Sequence, residues 1–198
     1  MAITIGILLF DDVEELDFAG PWEVFSATTQ QLFPDDRVVT IAQESRPIRC
    51  AKGLRVLPDV DFTTAPPLDV VLVPGGQGTR REASNPTLIG WLREVGQRCQ
   101  WVTSVCTGAL LLHEAGFAKG RRVTTHWAFI ETLRQRGDVT VLEHRRYVRD
   151  GNVVTAAGVS AGIDMALWLV GQIHGIDVAR KVQRGIEYDP APPYAAEV

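Results

Sequence analysis

A strand-to-helix junction between residues 101 and 112 constrains the fold of this chain more than any other segment. Residues 101–105 (WVTSV) are β-prone and residues 109–112 (ALLL) are helix-prone, with small residues and Cys106 between them. So short a junction predicts a tight turn that projects the Cys106 side chain from the end of a sheet. The helix that follows directs its free N–H groups and the positive end of its dipole towards the sulfur.

This position predicts a nucleophilic cysteine. A helix N-terminus is one of the few environments that lower a thiol pKa into the physiological range, and the thiolate is the reactive form. The alternative is a structural thiol, since free cysteine is among the most buried residue types. We favour the nucleophile because a strand-to-helix turn is the architecture of nucleophile elbows, although the Gly-x-Ser-x-Gly sequence of hydrolases is missing here.

The length and charge of the chain limit the number of domains and the kinds of partner that we expect. With 198 residues, 45% of them hydrophobic, it is long enough for one buried core, and we expect a single domain over residues 1–198. A net charge of -4 predicts no binding to nucleic acid or to anionic membranes, and no apolar run has the length of a membrane span. The first residues predict a strand rather than a signal peptide, so we expect a cytoplasmic protein whose partner is a small-molecule substrate.

The cysteine pattern bears on metals and redox chemistry. Cys50, Cys99 and Cys106 match neither a disulfide framework nor a Cys-x-x-Cys site. The sequence has no His-x-x-x-His spacing and no cluster of Cys and His, so we expect no protein-bound metal. Cys50 and Cys99 are most simply unpaired structural thiols.

Strands alternate with helices through the middle of the chain. The apolar runs at 3–10 and 68–73 have the pattern of strands buried on both faces, and residues 86–97 and 160–174 that of helices. This order predicts an α/β fold, a three-layer αβα sandwich with a mostly parallel sheet. Ligands of such sheets bind at the carboxyl ends of the strands, where Asp17, Gly76 and Cys106 all fall.

Two further segments matter for the site. Residues 13–21 predict a loop, which carries Asp17, and residues 22–27 predict a short helix after it. Residues 48–57, with a Lys-Gly turn in the middle, predict an exposed hairpin off the main sheet.

Motifs spread over residues 3 to 194 resemble the ThiJ/PfpI superfamily, which shares its fold with class I glutamine amidotransferase domains. The matching stretches are IGILLF at 5–10, LDFAGP at 16–21, PGG at 74–76, VTSVCTG at 102–108, TTHW at 124–127, VRDGN at 148–152, AGID at 161–164 and EYDPAPP at 187–193. The likeness is strongest to members that hydrate isocyanides. The resemblance implies a flavodoxin-like sheet, a homodimer, no cofactor, and a catalytic pair formed by Cys106 and Asp17.

Departures from related groups help to narrow the activity. Thr107 follows the cysteine, where PfpI-type peptidases carry a histidine. The region that matches the late His-x-Glu pair of amidotransferases has the sequence GVSAG at 158–162. Sensor domains of AraC-type regulators share many of the motifs, but they carry an appended helix-turn-helix region, and this chain ends before one would fit.

An acidic side chain is the natural proton carrier where no histidine partners the cysteine, and the resemblance points to Asp17. A carboxyl group beside a thiolate has a raised pKa because the two charges repel, so it can stay protonated and donate to the sulfur. The alternatives are a solvated loop carboxylate or a helix N-cap at Asp17, with Glu14 and Glu15 as rival acids.

Six further residues are candidates for the site, each with a structural alternative. The N–H groups of Gly76 and Thr107 can form an anion hole, while Gly75 is more simply a strand-ending turn. The Thr107 hydroxyl either tunes the sulfur or bonds to backbone. The others are Gly158 and Val159, whose backbone contacts substrate or forms a tight turn, and His126 and Trp127, which line a pocket or pack in the core.

The leading hypothesis is a cofactor-free hydratase that converts isocyanides to N-substituted formamides. Cys106 attacks the terminal carbon of the isocyanide, Asp17 supplies the proton that completes a thioimidate, and ionised Asp17 then activates water. Two alternatives use the same cysteine. One is a glyoxalase or deglycase that acts on α-oxoaldehydes, and the other is a redox or ligand sensor in which Cys106 is oxidised without turnover.

Overall fold

The computed structural model describes residues 2–190, so the proline-rich tail from residue 191 onwards lies outside the described residues. This part of the chain forms eleven β-strands and seven α-helices. The strands are β1 (Thr4–Leu8), β2 (Arg37–Ala42), β3 (Ile48–Arg49), β4 (Arg55–Val56), β5 (Val60–Asp61), β6 (Val70–Val73), β7 (Trp101–Val105), β8 (Arg122–Val123), β9 (Thr140–Val141), β10 (Tyr147–Asp150) and β11 (Val153–Ala156). The helices are α1 (Glu15–Gln31), α2 (Thr79–Glu82), α3 (Pro86–Gly96), α4 (Gly108–Glu114), α5 (Ile130–Arg134), α6 (Ala161–His174) and α7 (Ile176–Gly185), with a 3-10 helix at Trp127–Phe129.

A mostly parallel sheet organises the molecule. Seven of the strands in residues 2–190 pair in the order β10-β11-β7-β6-β1-β2-β5. Each neighbouring pair is parallel except β10 and β11, which form an antiparallel hairpin. Val71 of β6 lies opposite Gly6 of β1 and Val102 of β7, so these three strands end at the same edge. The predicted α/β fold with a mostly parallel sheet is confirmed.

Helices cover both faces of this sheet. All residues of β6, β7 and β11 are buried, which requires packing on each side of the strands. Helices α1, α6 and α7 pack against one another, with α1 on β1 and β2 and α6 on β7 and β11. Helices α3 and α4 pack on β6, and α4 also contacts β7. The core therefore lies on both sides of the strands that lead to the Cys106 junction.

Helix α1 departs most from the sequence prediction. Most of the loop predicted at 13–21 and all of the short helix predicted at 22–27 belong to one continuous helix, Glu15–Gln31, with Pro21 inside it. Proline lacks an N–H, so Pro21 removes the helical hydrogen bond to the carbonyl of Asp17. The helix is retained because Phe18, Val24 and Phe25 are buried. Asp17 therefore lies in the first turn of a helix and not on a loop.

Smaller differences concern short elements. Strand β5 at the edge of the sheet and helix α2 after the glycine loop were not predicted, and the 3-10 helix at Trp127–Phe129 leads directly into α5. The hairpin predicted at 48–57 is confirmed: β3 and β4 pair antiparallel in a small separate sheet. Asn85 caps α3, since its side chain accepts from the N–H groups of Thr87 and Leu88.

Three observations concern the expectations about membrane spans, metal sites and disulfide bonds. No helix within residues 2–190 combines the length and apolar character needed to cross a bilayer. In the same residues, no group of three or more His, Cys, Asp or Glu side chains is arranged to hold a metal ion. Cys50, Cys99 and Cys106 are all buried and unbridged.

We expect Leu72→Ala to lower the free energy of unfolding by roughly 2 to 5 kcal/mol, because it removes a side chain with no exposure from the central strand β6 and leaves a cavity. Urea unfolding followed by circular dichroism measures the change. Leu57→Ala is the matched control, since Leu57 is 65% exposed and its truncation should cost less than about 0.5 kcal/mol. Equal losses in the two variants would contradict the assignment of the core.

Candidate active site

The turn at Cys106 connects β7 directly to α4. Cys106 has φ 56, a left-handed backbone conformation that is unfavourable for a non-glycine residue. Two hydrogen bonds hold it: the Cys106 N–H donates to the Ala156 carbonyl (3.1 Å), and the Cys106 carbonyl accepts from the Thr125 hydroxyl (2.7 Å). The predicted strand-to-helix turn is confirmed, and adjacent parts of the sheet over-determine its strained geometry.

Cys106 faces a small cavity. The residue is only 7% exposed, and it lines a cavity of about 210 Å³. Other lining residues come from distant parts of the chain: Glu14, Gly76, Arg80 and Val159. The sulfur therefore belongs to a compartment of small-molecule size rather than to an open surface.

Asp17 lies next to Cys106 and has no exposure to solvent. A Cβ atom placed on Gly75 would lie 2.8 Å from Asp17 Oδ2 and 2.8 Å from Cys106 Cβ, so the two side chains flank the same glycine. The Gly75 N–H donates to Asp17 Oδ2 at 2.8 Å. The second oxygen, Oδ1, is buried and accepts no hydrogen bond from residues 2–190. Asp17 is thus a fixed carboxyl group with one unsatisfied oxygen beside the cysteine.

Burial dominates the ionisation of Asp17. It raises the pKa of Asp17 from 3.8 to about 7. Hydrogen bonds from the Gly75 N–H and the Cys106 thiol oppose this rise, whereas the negative charge of Glu14 adds to it. The direction agrees with the sequence-based prediction, but desolvation is the principal cause rather than repulsion between two charges. Asp17 therefore changes its protonation state near neutral pH.

The thiolate predicted for Cys106 is not its resting state. Burial raises the pKa of Cys106 from 9.0 to about 12, and the charge of Asp17 raises it further. The N–H and hydroxyl of Thr107 oppose this rise but do not outweigh it. Because desolvation penalises the anion more than the helix N-terminus stabilises it, the site holds a neutral thiol beside a carboxyl group that ionises first.

Gly75 has a larger part than the strand-ending turn expected from the sequence. Besides its contacts with Asp17 and Cys106, a Cβ atom at this position would lie 2.6 Å from the Thr107 nitrogen. Gly108 is equally constrained, since its Cβ would lie 2.1 Å from the Val73 carbonyl oxygen. The glycine at each position allows the end of β6 and the start of α4 to approach closely enough to form the site.

The anion hole predicted from Gly76 and Thr107 is not formed by the two N–H groups. The Gly76 N–H donates to the Thr107 hydroxyl at 3.0 Å, so it is already engaged. That hydroxyl also lies 3.1 Å from the Gly76 carbonyl and 3.1 Å from the hydroxyl of Thr79, a residue that sequence reasoning missed. Thr107 therefore ties the glycine loop to α2 and α4, while its N–H lies close enough to the sulfur to lower the thiol pKa.

The remaining predicted residues divide into two groups. Val159 and His126 line the cavity, and Val159 has φ 43, a strained conformation for a β-branched residue. Burial lowers the pKa of His126, and its Nδ1 accepts from the Ala128 N–H at 3.3 Å. Gly158 packs against the His126 ring rather than lining the cavity, and Trp127 is 73% exposed and lies outside it. The prediction for Trp127 is wrong because the 3-10 helix turns its indole towards solvent, whereas the contact between the Gly158 backbone and substrate stays a prediction.

Several lining residues escaped sequence analysis. Ala51 reaches the cavity from the β3–β4 hairpin, and Lys52 beside it forms an ion pair with Glu14. The Lys52 N–H also donates to Glu15 Oε1 at 2.7 Å. Glu14, considered only as a rival to Asp17, lines the cavity as well. Nothing in the local pattern of the hairpin indicates that it folds over the site.

A larger cavity of about 350 Å³ lies near the carboxyl end of β1. Its charged side chains are paired with each other: Arg46 with Asp11 at 2.7 Å and Arg81 with Glu82 at 2.8 Å. These pairs account for its polar lining, so the smaller cavity at Cys106 is the better candidate for chemistry.

Comparisons with known proteins agree with this geometry. A model of the DJ-1/PfpI family matches residues 3–172. The chain is 40% identical over 194 residues to isonitrile hydratase from Pseudomonas putida, covering 98% of this chain and 82% of that protein. A crystal structure of a ThiJ/PfpI family protein from Pseudomonas syringae superposes with a TM-score of 0.91 at 32% identity, over 100% of this chain and 80% of that one.

A regulator also resembles the chain. The HTH-type transcriptional regulator GbdR of Pseudomonas aeruginosa is 26% identical over 190 residues, which cover 94% of this chain and 51% of the regulator. The same fold therefore occurs in a hydratase and as part of a transcriptional regulator, and the fold alone does not decide the activity.

We expect Gly75→Ala to disrupt the site, because the added methyl group would displace Asp17, Cys106 or the Thr107 backbone. The rate of Cys106 alkylation by iodoacetamide, measured with Cys50 and Cys99 as internal references, should change at Cys106 alone. Gly90→Ala is the matched control: Gly90 lies in α3 with open space around its Cβ position, so its alkylation pattern should equal that of the wild type.

Replacing Asp17 by asparagine should stabilise the protein at high pH. An acid whose pKa is 3.8 unfolded and about 7 folded binds its proton more tightly in the folded state, so stability falls as pH rises between these values. Asp17→Asn removes that loss. We expect its free energy of unfolding to exceed that of the wild type by roughly 2 to 4 kcal/mol at pH 8, and the difference to vanish near pH 4.

Urea titrations at a series of pH values measure this difference. Asp177→Asn is the control, since the Asp177 side chain is 89% exposed and its replacement should leave the pH profile unchanged. A constant offset between Asp17→Asn and the wild type from pH 4 to pH 8 would contradict the raised pKa.

Proposed function

The chain belongs to the DJ-1/PfpI family, and we propose that it is a cysteine-dependent hydratase that converts isocyanides to N-substituted formamides. The observation that carries the proposal is the pairing at the small cavity: a neutral thiol lines it, and a buried carboxyl group with one unsatisfied oxygen lies beside the cysteine. The 40% identity to isonitrile hydratase over nearly the whole chain supports the same reaction.

The first step joins the cysteine to the substrate. Asp17, as a carboxylate, takes the proton of the Cys106 thiol on Oδ1 while the sulfur attacks the terminal carbon of the isocyanide. Asp17 then delivers this proton to the same carbon. One S–C bond and one C–H bond form, the carbon–nitrogen triple bond becomes a double bond, and the product is a thioimidate on Cys106.

The second step consumes water. Asp17, ionised again, takes one proton from a water molecule whose oxygen adds to the thioimidate carbon, and this proton passes to the substrate nitrogen. The tetrahedral adduct then collapses: its hydroxyl proton returns to the sulfur through Asp17, and the C–S bond breaks. The N-substituted formamide leaves and the thiol is regenerated, so isocyanide and water account for all product atoms.

The resting protonation states favour this order of events. A neutral thiol of high pKa is a weak nucleophile until a base removes its proton, and the base here has a pKa of about 7. Because the pKa of Asp17 lies near neutral pH, this carboxyl group can both accept and return a proton in one catalytic cycle.

We expect purified protein to convert an aryl isocyanide to the formamide, detected by mass spectrometry. Cys106→Ala should abolish turnover, because no covalent intermediate forms. Asp17→Asn should lower kcat by about 10² to 10⁴, the usual contribution of general acid–base catalysis. The value of kcat/KM should rise with pH through about 7 in the wild type and lose this dependence in Asp17→Asn.

Cys99→Ala is the control cysteine, since Cys99 is buried away from the cavity, where its thiol donates to the Leu68 carbonyl at 3.4 Å. A parallel assay with methylglyoxal separates the alternatives. Turnover of methylglyoxal without turnover of isocyanide would replace the proposal by a glyoxalase or deglycase activity. Inactivity towards both, with oxidation of Cys106 by peroxide, would favour a sensor.

A further inference from the structure

One cation at the Cys106 cavity, Arg80, is not paired with an acidic side chain of residues 2–190. Glu14 and Arg80 are its two charged lining residues among residues 2–190, and His126 is kept neutral by its lowered pKa. The Lys52 ammonium group, from the β3–β4 hairpin, already pairs with the Glu14 carboxylate. Arg80 has no carboxylate within ion-pair distance in the described part of the chain. Arg80, whose side chain is exposed at the cavity, is therefore free to bind an anion.

Neutral groups hold Arg80 in place. Its Nη1 donates to the Gly76 carbonyl at 3.0 Å and to the Thr79 hydroxyl at 3.2 Å. The guanidinium group lies over the Phe129 ring, 4.7 Å from the centroid. These contacts fix the orientation of the side chain without neutralising it. Its remaining N–H groups, on Nε and Nη2, are suited to a planar anion such as a carboxylate.

The neighbouring arginine provides the contrast. Arg81 is bound by the Asp12 carboxylate at 3.1 Å and by the Glu82 carboxylate at 2.8 Å, so its charge is used within the fold. Arg80 differs because it lines the cavity whose wall also contains Cys106 and Gly76. Its unpaired charge is therefore a property of the cavity and not of the helix as a whole.

We propose that the cavity prefers isocyanides that carry a carboxylate, which Arg80 binds while the isocyano carbon lies at Cys106. This inference rests on the proposed hydratase function and adds the class of substrate. Phe129, whose ring lies under the Arg80 guanidinium, adds an apolar surface to the cavity lining, which suits an aryl or short alkyl spacer. Arg80 is thus a specificity-determining residue, and Lys52 supports it by neutralising Glu14, which otherwise repels the same carboxylate.

Two substrates of equal size test the proposal: 4-isocyanobenzoate and 4-isocyanobenzamide, which differ in charge. We expect wild-type kcat/KM to be at least about tenfold higher for the carboxylate, the effect of one charge-assisted hydrogen bond. Arg80→Gln should remove this preference, because the ratio of the carboxylate value to the amide value should fall about tenfold. Arg80→Lys should retain part of the preference because it keeps the charge.

Arg136→Gln is the matched control, since Arg136 lines the adjoining cavity beside Arg80 but pairs with Glu114 at 2.9 Å. It removes the same net charge and should keep the wild-type preference. Equal wild-type rates for the two substrates, or a preference unchanged in Arg80→Gln, would overturn the assignment of Arg80.

A binding measurement separates failure of this inference from failure of the hydratase function. Calorimetry with Cys106→Ala protein compares 4-formamidobenzoate with 4-formamidobenzamide, the corresponding products. We expect tighter binding of the carboxylate, lost in Cys106→Ala/Arg80→Gln. If the wild type hydrates neither isocyanide but this binding preference holds, the hydratase function is wrong and the anion site stands. If the binding preference is absent, the anion site is wrong whatever the turnover.

Discussion

The close approach of the Gly75 backbone to the Cys106 turn is the constraint on which the site depends. Three elements meet there: the end of β6 supplies Gly75, the end of β7 supplies Cys106, and the first turn of α1 supplies Asp17. The Gly75 N–H fixes one oxygen of Asp17, and the missing side chain of Gly75 leaves room for the cysteine. The parallel register of β6 and β7 brings these two strand ends to one edge of the sheet, so the site is a product of the fold and not of a single loop.

Burial decides the electrostatics of the pair. A thiolate at a helix N-terminus would be stabilised in a solvated setting, but Cys106 and Asp17 are both removed from water. The charge of Asp17 disfavours the thiolate, whereas the hydrogen bond from the thiol favours the carboxylate. The pair therefore exchanges a single negative charge. This is why the carboxyl group, and not the sulfur, is the member that ionises near neutral pH. The unsatisfied Oδ1 of Asp17 agrees with this proton transfer, because a buried acceptor without a donor can take a proton.

Sequence reasoning predicted the parts of the molecule in which local pattern and tertiary role coincide. The strands at β6 and β7 follow from apolar and β-prone runs. Only the family resemblance predicts a catalytic role for Asp17, because the sequence around it, an acid followed by Gly20 and Pro21, indicates a loop. The helix that contains it is stabilised by burial of side chains against the sheet, which a breaker-based prediction does not include.

The missed residues share a physical cause. Arg80, Ala51 and Lys52 act through contacts with segments distant in sequence, and their own neighbourhoods carry no special pattern. The Cys106 turn was predictable because the chain must bend there to continue. The charge state of its sulfur was not, because it depends on how completely helices and loops exclude water from a point 89 residues after Asp17.

The β3–β4 hairpin has a consequence for how this architecture diversifies. It forms a two-stranded sheet of its own, apart from the seven strands that carry the core of residues 2–190, yet Ala51 at its tip forms part of the cavity wall. The stability of the fold and the shape of the cavity therefore depend on different segments of the chain. Changes in the sequence of the β3–β4 hairpin can therefore alter the cavity wall without altering the strands that position Cys106.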